Sequence, residues 1–356
     1  MDLQPAPRCP AGAAFHSPFH PAVRPAVHPA TRPAVLRSFP PFPPCAILFG
    51  TRHHPPFEAR FMTPPDSTDK PSPPSPETYR YPPAPGGLPP QGPVESHGAV
   101  FTEAYAFIPQ AVMRDIVTSF LPHWQGLRAW VLARPMTGFS ETFSHYLCAL
   151  APGGGSTAPE PDRNAQAVIF VTGGELRLSI DGAAHDLGPG SYAYIPSGAD
   201  WSAHASGERD AVFHWVRKHY AAVEGIDRPE AFVTSDAATP PTPMPDCDAV
   251  WSTTRFVDPD DLRHDMHVNI VTFKPGGTIP FAETHVMEHG LFVLQGEADY
   301  LLNRDWVPVK AGDFMWLRAF CPQACRATGD EPFRYLLYKD VNRHMPLSPG
   351  GLMRVG

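Results

Sequence analysis

Glu283-Thr284-His285-Val286-Met287-Glu288-His289-Gly290, running on into Leu291-Phe292-Val293-Leu294-Gln295-Gly296, is the stretch from which fold and chemistry can both be read. In an extended strand, side chains two apart point to the same side. Glu283 and His285 therefore project together, and His289 joins them if the extended conformation continues. A carboxylate and two imidazoles facing one interior make a set of hard and borderline donors suited to a divalent metal ion. The short apolar run behind them, closed by glycine, has the length and punctuation of a buried strand.

The same pattern occurs earlier in the chain. Pro275-Gly276-Gly277 precedes the stretch above, and Pro152-Gly153-Gly154 precedes Glu160, Asp162, Gln166 and the run Ala167-Val168-Ile169-Phe170-Val171-Thr172-Gly173. An offset of 123 residues superimposes the two copies. A second block, Gly188 to Pro196, matches Lys310 to Arg318 at an offset of 122. Two blocks in the same order at nearly the same offset indicate tandem domains of related fold. Short apolar runs punctuated by Gly, Pro and Asp read as strands of a sandwich or small barrel. A modest helix is expected over 110–120, where Val112, Ile116, Val117 and Phe120 fall at helical spacing. The offsets pair Glu283 with Glu160, His285 with Asp162, His289 with Gln166, and Gln323 with Trp201. The first copy keeps the turn residues and lacks the imidazoles, so the metal is expected in the second copy alone.

Composition sets the frame around this repeat. The chain has 356 residues, and more than half of its 47 prolines lie within residues 1–95. Runs such as Phe39-Pro-Pro-Phe-Pro-Pro44 lack backbone donors and favour solvated, polyproline-like conformations, so 1–95 is expected to be disordered or loosely wrapped. Its arginines and histidines give it some flavour of a transit peptide, but its proline density is too high for an amphipathic helix. A net charge of -8 and a pI near 6.1, with no Lys/Arg-rich block, argue against nucleic acid as a partner. No apolar run reaches membrane length, so no membrane partner is expected and a cytoplasmic location is. The six cysteines include no CxxC pair and are expected as reduced thiols.

The motifs Glu283-x-His285-x3-His289-x6-Gly296 and Gly312-x5-Arg318-x-Phe320-x2-Gln323 resemble the two motifs of the cupin superfamily, with the metal-binding letters permuted. The resemblance implies an all-β chain: two tandem cupin (jelly-roll β-barrel) domains preceded by a disordered proline-rich N-terminal segment. The expected division is a leader over 1–95, an N-terminal cupin domain without its metal site over 96–220 and a linker over 221–250. A C-terminal cupin domain with the metal site follows over 251–345, then a tail over 346–356.

The stretch Ala282 to Gly290, with Tyr300, Trp306-x-Pro308-Val309 and Tyr335-x2-Tyr338-Lys339-Asp340-x-Asn342-Arg343, resembles the (S)-ureidoglycine aminohydrolase family of allantoin (purine) degradation. That resemblance implies a hydrolase converting (S)-ureidoglycine and water to (S)-ureidoglycolate and ammonia. It implies Mn2+ held by Glu283, His285, His289 and Gln323, with Fe2+ or Zn2+ left open. It further implies that Tyr300, Tyr335 and Lys339 contact the substrate, and Glu283 can serve as proton acceptor besides ligand. Glu288 has the opposite parity and is expected at the surface or behind the ligands; Asp299 and Arg318 are candidates for the latter place. The implied partner is a small ureido molecule, and the chain is expected to form a homo-oligomer. A metal-dependent dioxygenase or decarboxylase, or a non-enzymatic small-molecule-binding bicupin, are the alternatives. An acid ahead of the histidines and a Gln completing the set favour the hydrolase.

Overall fold

The structure is a computed structural model that describes residues 79–94, 98–136, 138–340 and 343. Residues 1–78 of the expected leader, and the expected tail over 346–356, lie outside the described residues.

The apolar runs form strands in two successive barrels. In the first, the sheet order is Phe232–Ser235, Ser191–Ile195, Ala165–Gly173, Ala211–His219, Ser144–Ser156, Trp201–Ala205, Leu176–Ile180 and Ala183–Leu187. Gln125–Ala133 pairs with Ser144–Ser156 as well. That long strand pairs with Ala211–His219 through its first part and with Trp201–Ala205 at Gly155 and Ser156. The sheet thereby folds over on itself around Leu127, Ile169, Val171, Leu178, Phe213 and Trp215.

The second barrel is built from two sheets. One has the order Val100–Phe101, Tyr105–Ile108, Phe314–Leu317, His289–Gln295, Phe333–Lys339, His267–Phe273, Trp251–Thr254 and Thr242–Pro243. The other has Asp305–Lys310, Glu297–Leu302 and Gln323–Ala327. Val271, Leu291, Val293, Tyr300, Met315 and Tyr335 fill the space between them.

Alternation explains why the central strands are apolar on both sides. Leu291 and Val293 face the second barrel's interior, whereas Phe292 and Leu294 face the first barrel. There they meet Trp130, Leu147, Val168, Phe170 and Val216 in a core shared by both domains. Each such side chain contributes roughly 1.5–3 kcal/mol on burial, so this core binds the barrels firmly together. Phe143 of the first barrel stacks on Tyr338 with ring centroids 3.8 Å apart. A Cβ on Gly290 would lie 2.6 Å from the Phe143 ring, so the residue after His289 must be glycine for this approach.

Two strands pair outside the segment to which the expected division assigns them. Tyr105–Ile108 belongs in sequence to the first domain but pairs with Phe314–Leu317 of the second. Phe232–Ser235, inside the expected linker 221–250, pairs with Ser191–Ile195 of the first. One strand of each barrel, Ser191–Ile195 and Phe314–Leu317, is thus paired by a strand from outside its own repeat, which leaves it no open edge there.

Two further expectations are corrected. The 110–120 segment forms two 3-10 turns, Gln110–Val112 and Asp115–Val117, rather than one helix. Its helical-spaced residues have no face to bury against: Ile116, Val117 and Phe120 are exposed. Residues 79–85, inside the expected disordered leader, are docked. Arg334 lies 3.6 Å from the centre of the Tyr79 ring, and Tyr81 donates to Asp236 at 2.5 Å. Two aromatic anchors meeting a buried Arg334–Asp236 pair at 3.0 Å outweigh the local proline content.

Candidate active site

The candidate residues gather at one end of the second barrel. Glu283 pairs with Gln323 through two backbone hydrogen bonds of 2.9 Å, which fix the loop carrying Glu283 against the strand Gln323–Ala327. The extended strand does not run from Glu283 to His289. Residues 284–288 form a loop, and the strand begins at His289. His285 is held in that loop by its carbonyl, which accepts from Phe320 N–H at 2.6 Å.

Glu283 Oε1 lies 3.2 Å from His285 Nε2 and 3.4 Å from Gln323 Nε2. The His285 and His289 rings are 5.0 Å apart between centroids. Among the described residues no three His, Cys, Asp or Glu side chains are drawn in around a single point. The set nonetheless fits a divalent cation by donor chemistry: one carboxylate, two imidazoles and one amide oxygen. His289 Nδ1 is 3.0 Å from the Glu288 carbonyl. That bond places the proton on Nδ1 and leaves Nε2 as the free donor, the form a metal ligand requires. Burial, with His285 and Lys339 nearby, brings the His289 pKa down to about 3, so the ring is neutral.

Behind the candidate ligands lie two tyrosines. Tyr300 donates to Gln323 Oε1 at 3.1 Å, and the Tyr300 and Tyr335 rings meet edge-on with centroids 6.0 Å apart. Burial raises both phenols well above their ordinary value, so both remain protonated donors. Lys339 stands directly opposite His289 in the sheet and shares its face. Burial, and then Arg255, lower its pKa. Among the described residues neither Lys339 nor Arg255 has a carboxylate partner.

Three features of this end of the barrel were not legible in motifs. Glu288 is buried, accepting from Thr142 N–H at 2.6 Å, Glu141 N–H at 3.0 Å and Trp316 Nε1 at 3.0 Å. It ties the strand of His289 to the first domain. Arg255 adds a second cation. His267 stands opposite Lys339 on the other side of the strand Phe333–Lys339, with Asn269 two residues on. A His and an Asn at alternate positions of the apolar run Met266-His267-Val268-Asn269-Ile270-Val271 are the signal that marks them. Asp299 pairs with Arg326 at 2.9 Å on the outer side of the barrel, and Arg318 donates its N–H to Ala104.

The first barrel has different groups at the corresponding places. Its ladder pairs Arg217 with Ala167, as Lys339 pairs with His289. Gly174 and Gly296, both with positive φ and both pressed on backbone, fix the same offset of 122 residues. The counterpart of His289 is therefore Ala167, and the pairing with Gln166 is one residue out. Gln166 has the opposite parity, pointing at the domain interface, where it contacts Asp265 and accepts from Tyr194. Arg217 is salt-bridged to Glu160 at 2.5 Å, and Trp201 and Trp215 fill the interior with rings 5.6 Å apart.

Comparison with known proteins places this arrangement. The Cupin domain family model matches residues 146–217 and 269–338, one segment in each barrel. The "Probable (S)-ureidoglycine aminohydrolase" of Oryza sativa subsp. japonica is 32% identical over 69% of this chain and 74% of its own length. The "(S)-ureidoglycine aminohydrolase" of Escherichia coli (strain K12) is 30% identical over 65% of this chain and 87% of its own. The chain belongs to the (S)-ureidoglycine aminohydrolase family. It is an all-β enzyme of the cupin fold, a hydrolase by its family. A crystal structure titled a putative glyoxylate-induced protein from Pseudomonas aeruginosa is 60% identical, with a TM-score of 0.72. It is matched over 76% of this chain and 98% of its own. Among the described residues of this family member, no helix is long and apolar enough to cross a membrane.

Proposed function

We propose that the second barrel hydrolyses (S)-ureidoglycine to (S)-ureidoglycolate and ammonia, in allantoin breakdown, with Mn2+ held by Glu283, His285, His289 and Gln323. The observation that carries this reading is the joining of two carbonyl- and carboxylate-binding groups to the donor set. Tyr300 is bonded to Gln323, and Lys339 stands opposite His289. The curated relatives described above bear the name of that activity.

The substrate carbon carries an amine, a ureido group, a carboxylate and a hydrogen. A stereospecific exchange of amine for hydroxyl requires a fixed orientation, a proton for the departing amine and water on one face. A bound divalent ion supplies Lewis acidity and lowers the pKa of water. Lys339, a cation with no carboxylate partner among the described residues, is placed to hold the substrate carboxylate. Tyr335, kept protonated by burial, would donate to carboxylate or ureido oxygen, and Tyr300 would do so by giving up its bond to Gln323. Glu283 Oε1 accepts from Gln323 Nε2 at 3.4 Å, lies 3.2 Å from His285 Nε2, and can accept a proton from water. Neutral His289 and the buried tyrosines exclude bulk water from the inner side. The first barrel, filled by tryptophans and closed by its own ion pair, has a supporting role. We also read the active form as a homo-oligomer, which light scattering on the purified chain will test.

The test supplies ureidoglycine made in situ from allantoate and follows ammonia and the enantiomer of ureidoglycolate together. Ammonia above the spontaneous rate with the S product in excess is expected. Spontaneous rate with racemic product would overturn the reading.

A further inference from the structure

His267 and Asn269 are buried, each about 2 % exposed. Among the described residues, both ring nitrogens of His267 and Oδ1 of Asn269 have no hydrogen-bond partner. Buried polar atoms are nearly always paired, so three unpaired atoms on one strand face call for an occupant. Their direction is set by alternation. Met266, Val268 and Ile270 pack in the core between the domains, while Val271 and Phe273 pack inside the second barrel. His267 and Asn269 therefore face the barrel interior.

The register places them beside the catalytic end. His267 opposes Lys339, and Lys339 opposes His289, so the three form one row across three strands. Asn269 opposes Leu337, on a diagonal of roughly 7–8 Å from Lys339. Arg255 directly follows Thr254, which pairs with Ile270, so the chain carries a second cation alongside Asn269. The corresponding row of the first barrel is Ser144, Arg217 and Ala167, with Tyr146 opposite Trp215 in the place of Asn269 opposite Leu337. That row of the first barrel holds neither imidazole nor amide, and among the described residues the unpaired buried nitrogens of that barrel belong to His145, His214 and Trp215.

We propose that His267 and Asn269 form the subsite that recognises the ureido group, with Lys339 and Arg255 taking the carboxylate of the same molecule. This inference rests on the aminohydrolase reading and adds to it the residues that select the substrate. A terminal ureido NH2 offers the N–H donors that Asn269 Oδ1 lacks. The ureido C=O can accept from His267, whose pKa burial lowers to about 4, leaving it neutral with one donor and one acceptor. A compound with the carboxylate but no terminal NH2 would leave Asn269 unpaired, and a site built for hydrogen bonds rejects such analogues strongly.

The experiment uses two unreactive probes on the full chain by calorimetry: N-carbamoylglycine, which has the ureido group, and N-acetylglycine, which lacks its terminal NH2. The wild-type chain is expected to bind N-carbamoylglycine at least about tenfold more tightly. Asn269→Leu is expected to abolish that preference while keeping affinity for N-acetylglycine, and Lys339→Ala to weaken both. Asn269→Leu should also raise the melting temperature, because it removes an unpaired buried amide; a residue needed for structure would lower it. If that variant does not fold, His267→Phe against His267→Gln decides: the first loses the preference, the second keeps part of it. A wild-type chain that hydrolyses ureidoglycine while every variant retains the preference overturns this inference alone. A wild-type chain that neither hydrolyses ureidoglycine nor binds either probe overturns the aminohydrolase reading, and this inference with it.

Discussion

Replacing Glu288 by alanine should destabilise the chain far more than its place in a loop suggests. Its carboxylate accepts from Trp316 Nε1 at 3.0 Å, Thr142 N–H at 2.6 Å and Glu141 N–H at 3.0 Å. It also accepts from the Thr142 hydroxyl, which in turn lies 2.8 Å from Tyr338 O–H. Trp316 is only 1% exposed, so its N–H bears the full penalty of an unpaired buried donor, about 1–3 kcal/mol. The donors of residues 141 and 142 lie nearer the surface and can be re-solvated, losing roughly 1 kcal/mol each. The sum is a loss of about 3–5 kcal/mol, the range seen when one partner of a buried charged network is removed. Glu288→Gln retains one acceptor oxygen and should lose about half as much. Urea unfolding followed by tryptophan fluorescence, with Trp316 next to the change, gives the midpoint shift. A loss below about 1 kcal/mol for Glu288→Ala, the figure for a surface carboxylate, would refute the buried network.

Three further outcomes follow from the geometry. Tyr300→Phe removes the bond to Gln323 Oε1 and is expected to lower kcat/KM about tenfold, one hydrogen bond's worth; an unchanged value in steady-state assays would take Tyr300 out of the site. Stability should fall with acid: burial lowers His145 to about 3 and His214 well below its ordinary 6.5. The unfolded chain then binds protons that the folded chain does not, so this stability is complete above pH 6.5 and is lost as pH falls toward 3. Each imidazole contributes up to about 1.4 kcal/mol per pH unit, and replacing both by leucine should flatten the slope of urea midpoint against pH; an unchanged slope would exclude the pair as its source. Arg217→Met, in the first barrel, should leave turnover within about twofold of wild type, whereas a tenfold loss would give that barrel a part in the chemistry.

The repeat made the two-barrel architecture legible, because Gly and Pro at fixed places mark turns whatever the function. Register was harder. An offset of 123 residues aligns Pro275 with Pro152, but the strands themselves align at 122, so His289 corresponds to Ala167. A single-residue slip reverses every side chain, and only the ladder resolves it. Parity put Glu288 on the side away from His289, but it could not show that this side is buried against Thr142 and Trp316. The exchange of Tyr105–Ile108 into the second sheet leaves no local trace, since an apolar strand carries no record of its partner. His267 and Asn269 belong to no motif, and their meaning came from burial without partners.

Metal stoichiometry tests the proposed single metal site of the two-barrel chain most directly. The apo-chain would be titrated with Mn2+ while bound metal, by mass spectrometry, and ammonia release from ureidoglycine are followed together. The account predicts that activity rises in proportion to bound metal and saturates at one ion per chain, with both lost in His289→Ala. Two ions per chain, or full activity without bound metal, would contradict it.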